Sequence, residues 1–333
     1  MRRNKKELPI TIISHRGASG HRPEHTLASY ELGARHGGDF IEMDLVATRD
    51  GRLICRHEQE IGHTTDVADR PEFADRRTTR TIDGREAEGF FAQDFTLAEI
   101  KTLRAVERLR DVRAENTAMD GVYEVPTLEE VIGLALSLTK ELGRPIGIYP
   151  ETKHPAYHAS QGLELEPLLI AALRGAGLTG DEPKVPVFLQ SFEAESLRKL
   201  AGTGLRLVYL MGAGEPWRPY TTPEGLAEVA TFAHAIGPDK NLVVPVTGDG
   251  ELDEPTPLVA DAHEAGLLVH PYTFRSENRF LPESLRSPGD PSDYGGFAAE
   301  YEAFFEVGVD GVFTDFSRHA FLAREHFLLG DQG

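Results

Sequence analysis

Short aliphatic and β-branched runs alternate along this chain with stretches whose apolar positions recur at helical spacing. The strand-like runs are ITIIS near residue 12, DFIEMDL near 41, IGIYPE near 148 and VPVFLQS near 188. Four more follow: LRLVYLM near 208, AIGPD near 236, LLVHPYT near 270 and GVFTD near 313. Between them, HTLASYELGARHG, TLEEVIGLALSLTKELG, EAESLRKLAGTG and FAAEYEAFFEVG read as amphipathic helices, several closed by Gly, the usual helix stop. Alternation of this kind builds a parallel sheet from βα units. Eight such strands predict an α/β protein, a TIM (β/α)8 barrel, occupying residues 1–333 as one domain.

One crossover breaks the rhythm. From Glu58 to Pro126 the chain is rich in Arg, Asp and Thr, with a single helical patch at TLAEIKTLRAVERLR. A connection that long inside a compact domain is usually functional or a small subdomain. Residues 58–126 are therefore expected to form an insertion after the second strand, capping one end of the barrel.

Composition narrows the partners. The formal charge of −19, from 54 acidic against 35 basic residues, argues against nucleic acid and anionic membranes. A small anionic substrate is still compatible where cations converge in a cleft. The one cysteine, Cys55, excludes an intrachain disulfide. No run approaches the ~18 apolar residues that a bilayer span needs, so no stable membrane insertion is expected. The opening MRRNKKELPI has the basic residues of a leader but no hydrophobic stretch behind them. The expectation is a cytoplasmic protein if the sequence is complete, and a periplasmic or secreted one if a leader has been removed.

Catalytic groups of such barrels cluster at the carboxyl ends of the strands, and here those ends are polar. His15-Arg16 ends the first strand, Glu42-x-Asp44 lies on the second, and the short run RLICRHE ends in His57-Glu58. Glu151-x-Lys153, Gln190-Ser191, His270 through Thr273, and Asp315 follow. Residues two apart on a strand share a face, so Glu42 and Asp44 project together. They point either outward to solvent, with Ile41, Met43 and Leu45 as the buried set, or inward, where two anions need a cation. With Glu151 they make a hard oxygen site suited to Ca²⁺ or Mg²⁺. His15 and His57 beside it are candidates for acid–base work. Arg16 and Lys153 either pair with those carboxylates or clamp an anionic substrate, and one role does not exclude the other. Metal, clamp and two acid–base groups fit phosphodiester cleavage. His21 and His25 are expected only to organise their loop.

At this point the chain resembles a known family. HRGASGHRPEHT, IEMDLVATRDG, RHE, IYPETKHP, LQSF, VHPYTFRS and DGVFTDF, in that order, are similar to the signature blocks of the glycerophosphodiester phosphodiesterases. The likeness is greatest to the bacterial periplasmic-type branch, and it extends into the insertion at TTDVADR and DFTLAEIK. The resemblance implies a TIM barrel with a small insertion and a divalent metal, Ca²⁺ with Mg²⁺ as the alternative. It implies hydrolysis of glycerophosphodiesters such as glycerophosphocholine and glycerophosphoethanolamine to glycerol 3-phosphate and an alcohol. Carried over residue by residue, the base falls on His15, the acid on His57, and the metal carboxylates on Glu42, Asp44 and Glu151. Phosphate contacts fall on Arg16 and Lys153, and pocket-lining positions on Gln190 and Phe274. The implied chemistry is attack of the glycerol hydroxyl on phosphorus through a cyclic phosphate that water then opens. Glu58 stands where the family more often has Asp, and Ser317 where Pro often follows the last block. A sphingomyelinase D-like phospholipase and a non-catalytic phosphodiester-binding barrel are the alternatives.

Overall fold

The computed structural model describes residues 10–180 and 182–330, so the basic N-terminal stretch lies outside the described residues. Among the described residues there are eleven strands: β1 (Thr11–Ser14), β2 (Phe40–Ala47), β3 (Leu53–Cys55), β4 (Thr78–Ile82), β5 (Arg85–Gly89), β6 (Gly147–Thr152), β7 (Phe188–Ser191), β8 (Arg206–Met211), β9 (Ala235–Pro238), β10 (Leu268–Val269) and β11 (Gly311–Thr314). Eight of them run parallel in the order β10-β9-β8-β7-β6-β2-β1-β11. The seam between β10 and β11 is bridged by Asp310 N–H to the Val269 carbonyl (2.9 Å), Phe313 N–H to the Pro271 carbonyl (3.1 Å) and Phe274 N–H to the Phe313 carbonyl (2.8 Å). These bonds bring the sheet round into the expected (β/α)8 barrel, and all eight predicted strands are in it. Among the described residues no helix is long and apolar enough to cross a membrane.

Strand alternation sorts the core into two layers. Ile13, Phe40, Tyr149, Phe188, Val208, Ala235 and Phe313 fill the barrel interior. Ile12, Ile41, Met43, Leu45 and Leu189, one position off that set, join the larger cluster under the helices. Both faces of β2 are thus buried. Ile41, Met43 and Leu45 pack outward on helices, which leaves Glu42 and Asp44 facing inward above Phe40. The four predicted helices form at Leu27–Arg35, Leu128–Leu142, Ala194–Leu200 and Phe297–Val307. Thr127 and Glu130 make a reciprocal capping box at the start of the second, and Gly143, at φ +65°, ends it.

The 58–126 stretch carries a small core of its own. Ile61, Val67, Phe73, Phe90, Phe95, Ile100 and Leu103 cluster there with Val46 of β2 and Ile54 of β3. The antiparallel hairpin β4–β5 was not foreseen from the sequence. The helical patch expected over 96–110 shrinks to Leu97–Ile100, begun by a Thr96–Glu99 capping box. Beyond it the chain bridges outward, Ala105 with Thr65 and Arg104 with Glu124, so strand-like pairing overrides helical periodicity.

Candidate active site

The barrel register assembles the site. Asp44 of β2 stands level with Glu151 of β6, and Glu151 with Gln190 of β7, so three inward side chains meet at one height. Glu42 and Asp44 are each 1% exposed and Glu151 5%. One carboxylate oxygen from each lies within 4.8 Å of the other two. Burial, then the charges of Asp44 and Glu151, push the Glu42 carboxyl well above its ordinary range. Burial likewise raises Glu151 to about 8, with Asp44 adding to it against the pull of Lys153. Asp44 goes the other way: although burial opposes ionisation, Lys153, His57 and His25 hold it well below the usual carboxylate value.

The cations sit at the rim of this cluster. Lys153 Nζ lies 2.8 Å from Glu151 Oε1 and 3.9 Å from Asp44 Oδ1. The Arg16 backbone N–H donates to Glu42 Oε2 at 2.7 Å, and its Nε stands 3.4 Å from Asp44 Oδ2. Gln190 Nε2 donates to Glu42 Oε1 at 3.1 Å, while the buried Oε1 of Gln190 has no hydrogen-bond partner. Three crowded carboxylates, two of them short of compensating charge, and a carbonyl oxygen with nothing to accept from fit a hard divalent cation held by Glu42, Asp44 and Glu151. His25, expected to shape the loop, does more than that. Its Nε2 meets Asp44 Oδ2 at 2.8 Å and its Nδ1 meets the Tyr30 hydroxyl at 2.7 Å, which fixes a carboxylate of the cluster.

The two strand-end histidines are built alike. His15 Nδ1 lies 2.6 Å from Asp315 Oδ1, and His57 Nδ1 lies 2.5 Å from Glu58 Oε1. An ionised carboxylate only accepts, so Nδ1 carries the proton and Nε2 is the free, basic nitrogen. Burial lowers His15 to about 4, helped by Arg16 and opposed by Asp315. His57 falls to about 3 through burial and then the charges of Arg16 and Lys153. Glu58 thus serves in place of the commoner Asp, its longer arm reaching back to the adjacent ring. Ser317, the other departure, is buried and bonds Ser14 Oγ at 2.8 Å, and it does not line the cleft.

His15, Arg16, Glu42, Asp44, His57, Glu151, Lys153 and Gln190 all line one cleft of about 320 Å³. Phe274 is the exception and a correction. It is fully buried, stacked on Tyr301 with centroids 5.0 Å apart and edge-on to Phe304, because its backbone pairs with β11 and turns the ring toward the outer helix. Tyr272, Thr273 and Arg275 line the wall in its place. His270 also misses the cleft. It is buried in the barrel, bonded to the Tyr149 hydroxyl at 2.9 Å. Sequence reasoning gave no role to Glu24, Arg108, Arg113 or Arg275, whose partners are distant in sequence. For Asp315 the signal was available, a lone acid at the end of the last strand.

Fold and site together define a barrel enzyme whose cleft gathers paired histidines, buried cations and a carboxylate cluster at the carboxyl ends of its strands. Residues 15–319 match the glycerophosphoryl diester phosphodiesterase family. The chain is similar to a glycerophosphodiester phosphodiesterase of Arabidopsis thaliana, 37% identical over 92% of this chain and 83% of that one. A Haemophilus influenzae enzyme of the same name is 30% identical over 92% and 87%. Among solved structures, a phosphodiesterase from Silicibacter pomeroyi superposes with a TM-score of 0.66 at 20% identity, covering 96% of this chain and 94% of that one. The chain belongs to the glycerophosphoryl diester phosphodiesterase family, and it is an enzyme.

Proposed function

We propose that this enzyme hydrolyses glycerophosphodiesters, such as glycerophosphocholine and glycerophosphoethanolamine, to glycerol 3-phosphate and an alcohol. The observation that carries the reading is the meeting of both histidines, both cations and the three carboxylates in one cleft. Arg16 and Lys153 seat the phosphodiester anion. His15 Nε2 takes the proton of the attacking glycerol hydroxyl, and His57 gives one to the leaving alkoxide; the roles reverse when water opens the cyclic phosphate. The cations that depress His57 are the ones that receive the anion, so substrate binding offsets part of that depression and brings an imidazolium within reach. Glu42, Asp44 and Glu151 would hold a divalent ion, Ca²⁺ foremost and Mg²⁺ as the alternative, which would supply Lewis-acid stabilisation of the phosphoryl oxygens.

The test is glycerol 3-phosphate release in a coupled assay with Ca²⁺ or Mg²⁺. His15→Ala and His57→Ala should each cut turnover by ~10²–10⁴ without loss of fold, and EDTA should abolish it. Near-wild-type turnover in either variant would remove the acid–base assignment, and full activity after chelation would remove the metal.

A further inference from the structure

The carboxylates that hold the two histidines are themselves held by the insertion, within one short arm. Arg108 grips Glu58 from Nη1 (2.7 Å) and Nη2 (2.5 Å), the bidentate geometry that fixes a carboxylate plane. It also reaches Glu24 at 2.7 and 3.0 Å, and Glu24 in turn accepts from Arg16 Nη1 at 3.0 Å. Five residues on, Arg113 Nη2 donates to Asp315 Oδ2 at 2.6 Å, on the opposite side of the carboxylate from His15. Its Nε binds Glu277 Oε1 at 2.7 Å and its Nη1 binds the Ser19 carbonyl at 3.0 Å, and the side chain is 6% exposed. A turn at Leu109, whose carbonyl accepts from both Val112 and Arg113, sets the spacing between the two arginines. Both arginines, both histidines and Leu109 border a second cavity of about 220 Å³, which shares His15, Arg16, His57 and Arg275 with the main cleft.

We propose that Arg108 and Arg113 are positioning residues through which the insertion sets both catalytic histidines, Arg108 acting on His57 through Glu58 and Arg113 on His15 through Asp315. The proposal rests on the acid–base reading of those histidines given above. A carboxylate on two rotatable bonds in Asp315, or three in Glu58, orients an imidazole only if something else fixes the carboxylate, and a buried, multiply bonded guanidinium does so. Asp315 has a second anchor in Arg275 Nε at 2.8 Å, whereas Arg108 is the one cation bonded to Glu58 among the described residues. The loss of Arg108 should therefore cost more than the loss of Arg113.

Steady-state kinetics on glycerophosphocholine, with the metal-loaded full-length enzyme, test this. Arg108→Met and Arg113→Met should lower kcat by ~10–100-fold. KM should stay within about twofold for Arg113→Met, whereas Arg108→Met, which also removes a partner that Glu24 shares with Arg16, should raise KM by several-fold on top of its kcat loss. In a double-mutant cycle the Arg113→Met cost should fall below about twofold in a His15→Ala background and persist in His57→Ala, with the reverse pattern for Arg108→Met. Equal costs in all backgrounds, or a loss confined to KM, would overturn the proposal. If a Met variant fails to fold, Arg108→Lys and Arg113→Lys keep the charge but not the fork. They should still lose kcat, and wild-type kcat in a folded Lys variant overturns the proposal equally. The underlying reading is judged separately, by the single histidine variants: if those stay active, the acid–base assignment falls, whatever the arginines do.

Discussion

At the scale of single residues, the carboxylate cluster would make a proton and a divalent metal compete for the same oxygens. Glu151 is raised to about 8, first by burial and then by Asp44, so without metal it keeps its proton through neutral pH. Ligation requires the carboxylate, so metal affinity should climb as pH rises through neutrality, with Glu151 contributing up to about 8 and the likewise raised Glu42 adding to the climb. The stability sign follows from the same shift. A folded value above the unfolded one, about 4.3 for Glu, means that the folded metal-free protein binds more protons between those two values. Its stability therefore falls as pH rises through that window, and saturating Ca²⁺ should flatten the fall. Calorimetric titration of Ca²⁺ at pH 6, 7 and 8.5, on the wild type and on Glu151→Gln, checks both points. The variant should bind Ca²⁺ more weakly and lose the share of the pH dependence that Glu151 contributes; an affinity independent of pH in the wild type would contradict the raised carboxyls. His25 belongs to the same balance, since its bond to Asp44 keeps one of the three oxygens aimed into the cluster.

At the scale of elements, the exit from β1 is the most constrained turn of the site. Arg16 and Gly17 both take left-handed backbone, at φ +58° and +90°. A Cβ on Gly17 would fall 2.4 Å from Ser29 Oγ and 2.5 Å from the Ser29 carbonyl carbon. That turn aims His15 toward Asp315 and the Arg16 N–H toward Glu42, and it is fastened by Ser29 Oγ donating to the Arg16 carbonyl at 3.1 Å. Gly17→Ala should therefore cost roughly 2–4 kcal/mol, combining the left-handed penalty with overpacking. Urea denaturation measures that cost, and kcat should fall with it, since small misplacements of reacting groups are expensive. A variant with unchanged midpoint and kcat would show that the turn tolerates a side chain. Much at this scale was legible in the sequence. The period-two pattern of FIEMDL put Glu42 and Asp44 on one face, and the polar strand ends marked the groups that line the cleft. What could not be read depends on contacts between distant segments. The direction of Phe274 follows from pairing with β11, the short Leu97–Ile100 helix from bridges to residues 65 and 124, and the grip of Arg113 on Asp315 from a partner 202 positions away.

At the scale of the whole molecule, a chain of net charge −19 gathers four basic side chains, Arg16, Lys153, Lys240 and Arg275, around its cleft. All four have carboxylate partners, Lys240 in Glu300, Arg275 in Asp315, Arg16 in Glu24 and Lys153 in Glu151. But Arg16 and Lys153 stand beside the carboxylate cluster, whose charge a bound divalent cation would offset, so the local attraction for an anion would come chiefly from those two. The long-range field repels anions while the short-range site binds a phosphodiester. Salt separates the two, because the Debye length is about 30 Å at 0.01 M and about 8 Å at 0.15 M. A zwitterionic diester such as glycerophosphocholine carries no net charge and pays little to approach the acidic surface. An anionic one such as glycerophosphoinositol pays the full repulsion before it reaches the cleft. The expected result is that kcat/KM for the anionic substrate rises several-fold as sodium chloride goes from 0.01 to 0.15 M, while that for the zwitterionic substrate stays level or falls slightly as the Arg16–Lys153 contact is screened. The ratio of the two should then converge toward the preference set by the pocket walls. Parallel salt curves for the two substrates would mean that the acidic surface has no influence on which diesters reach the site, and that any preference between them arises wholly within the cleft.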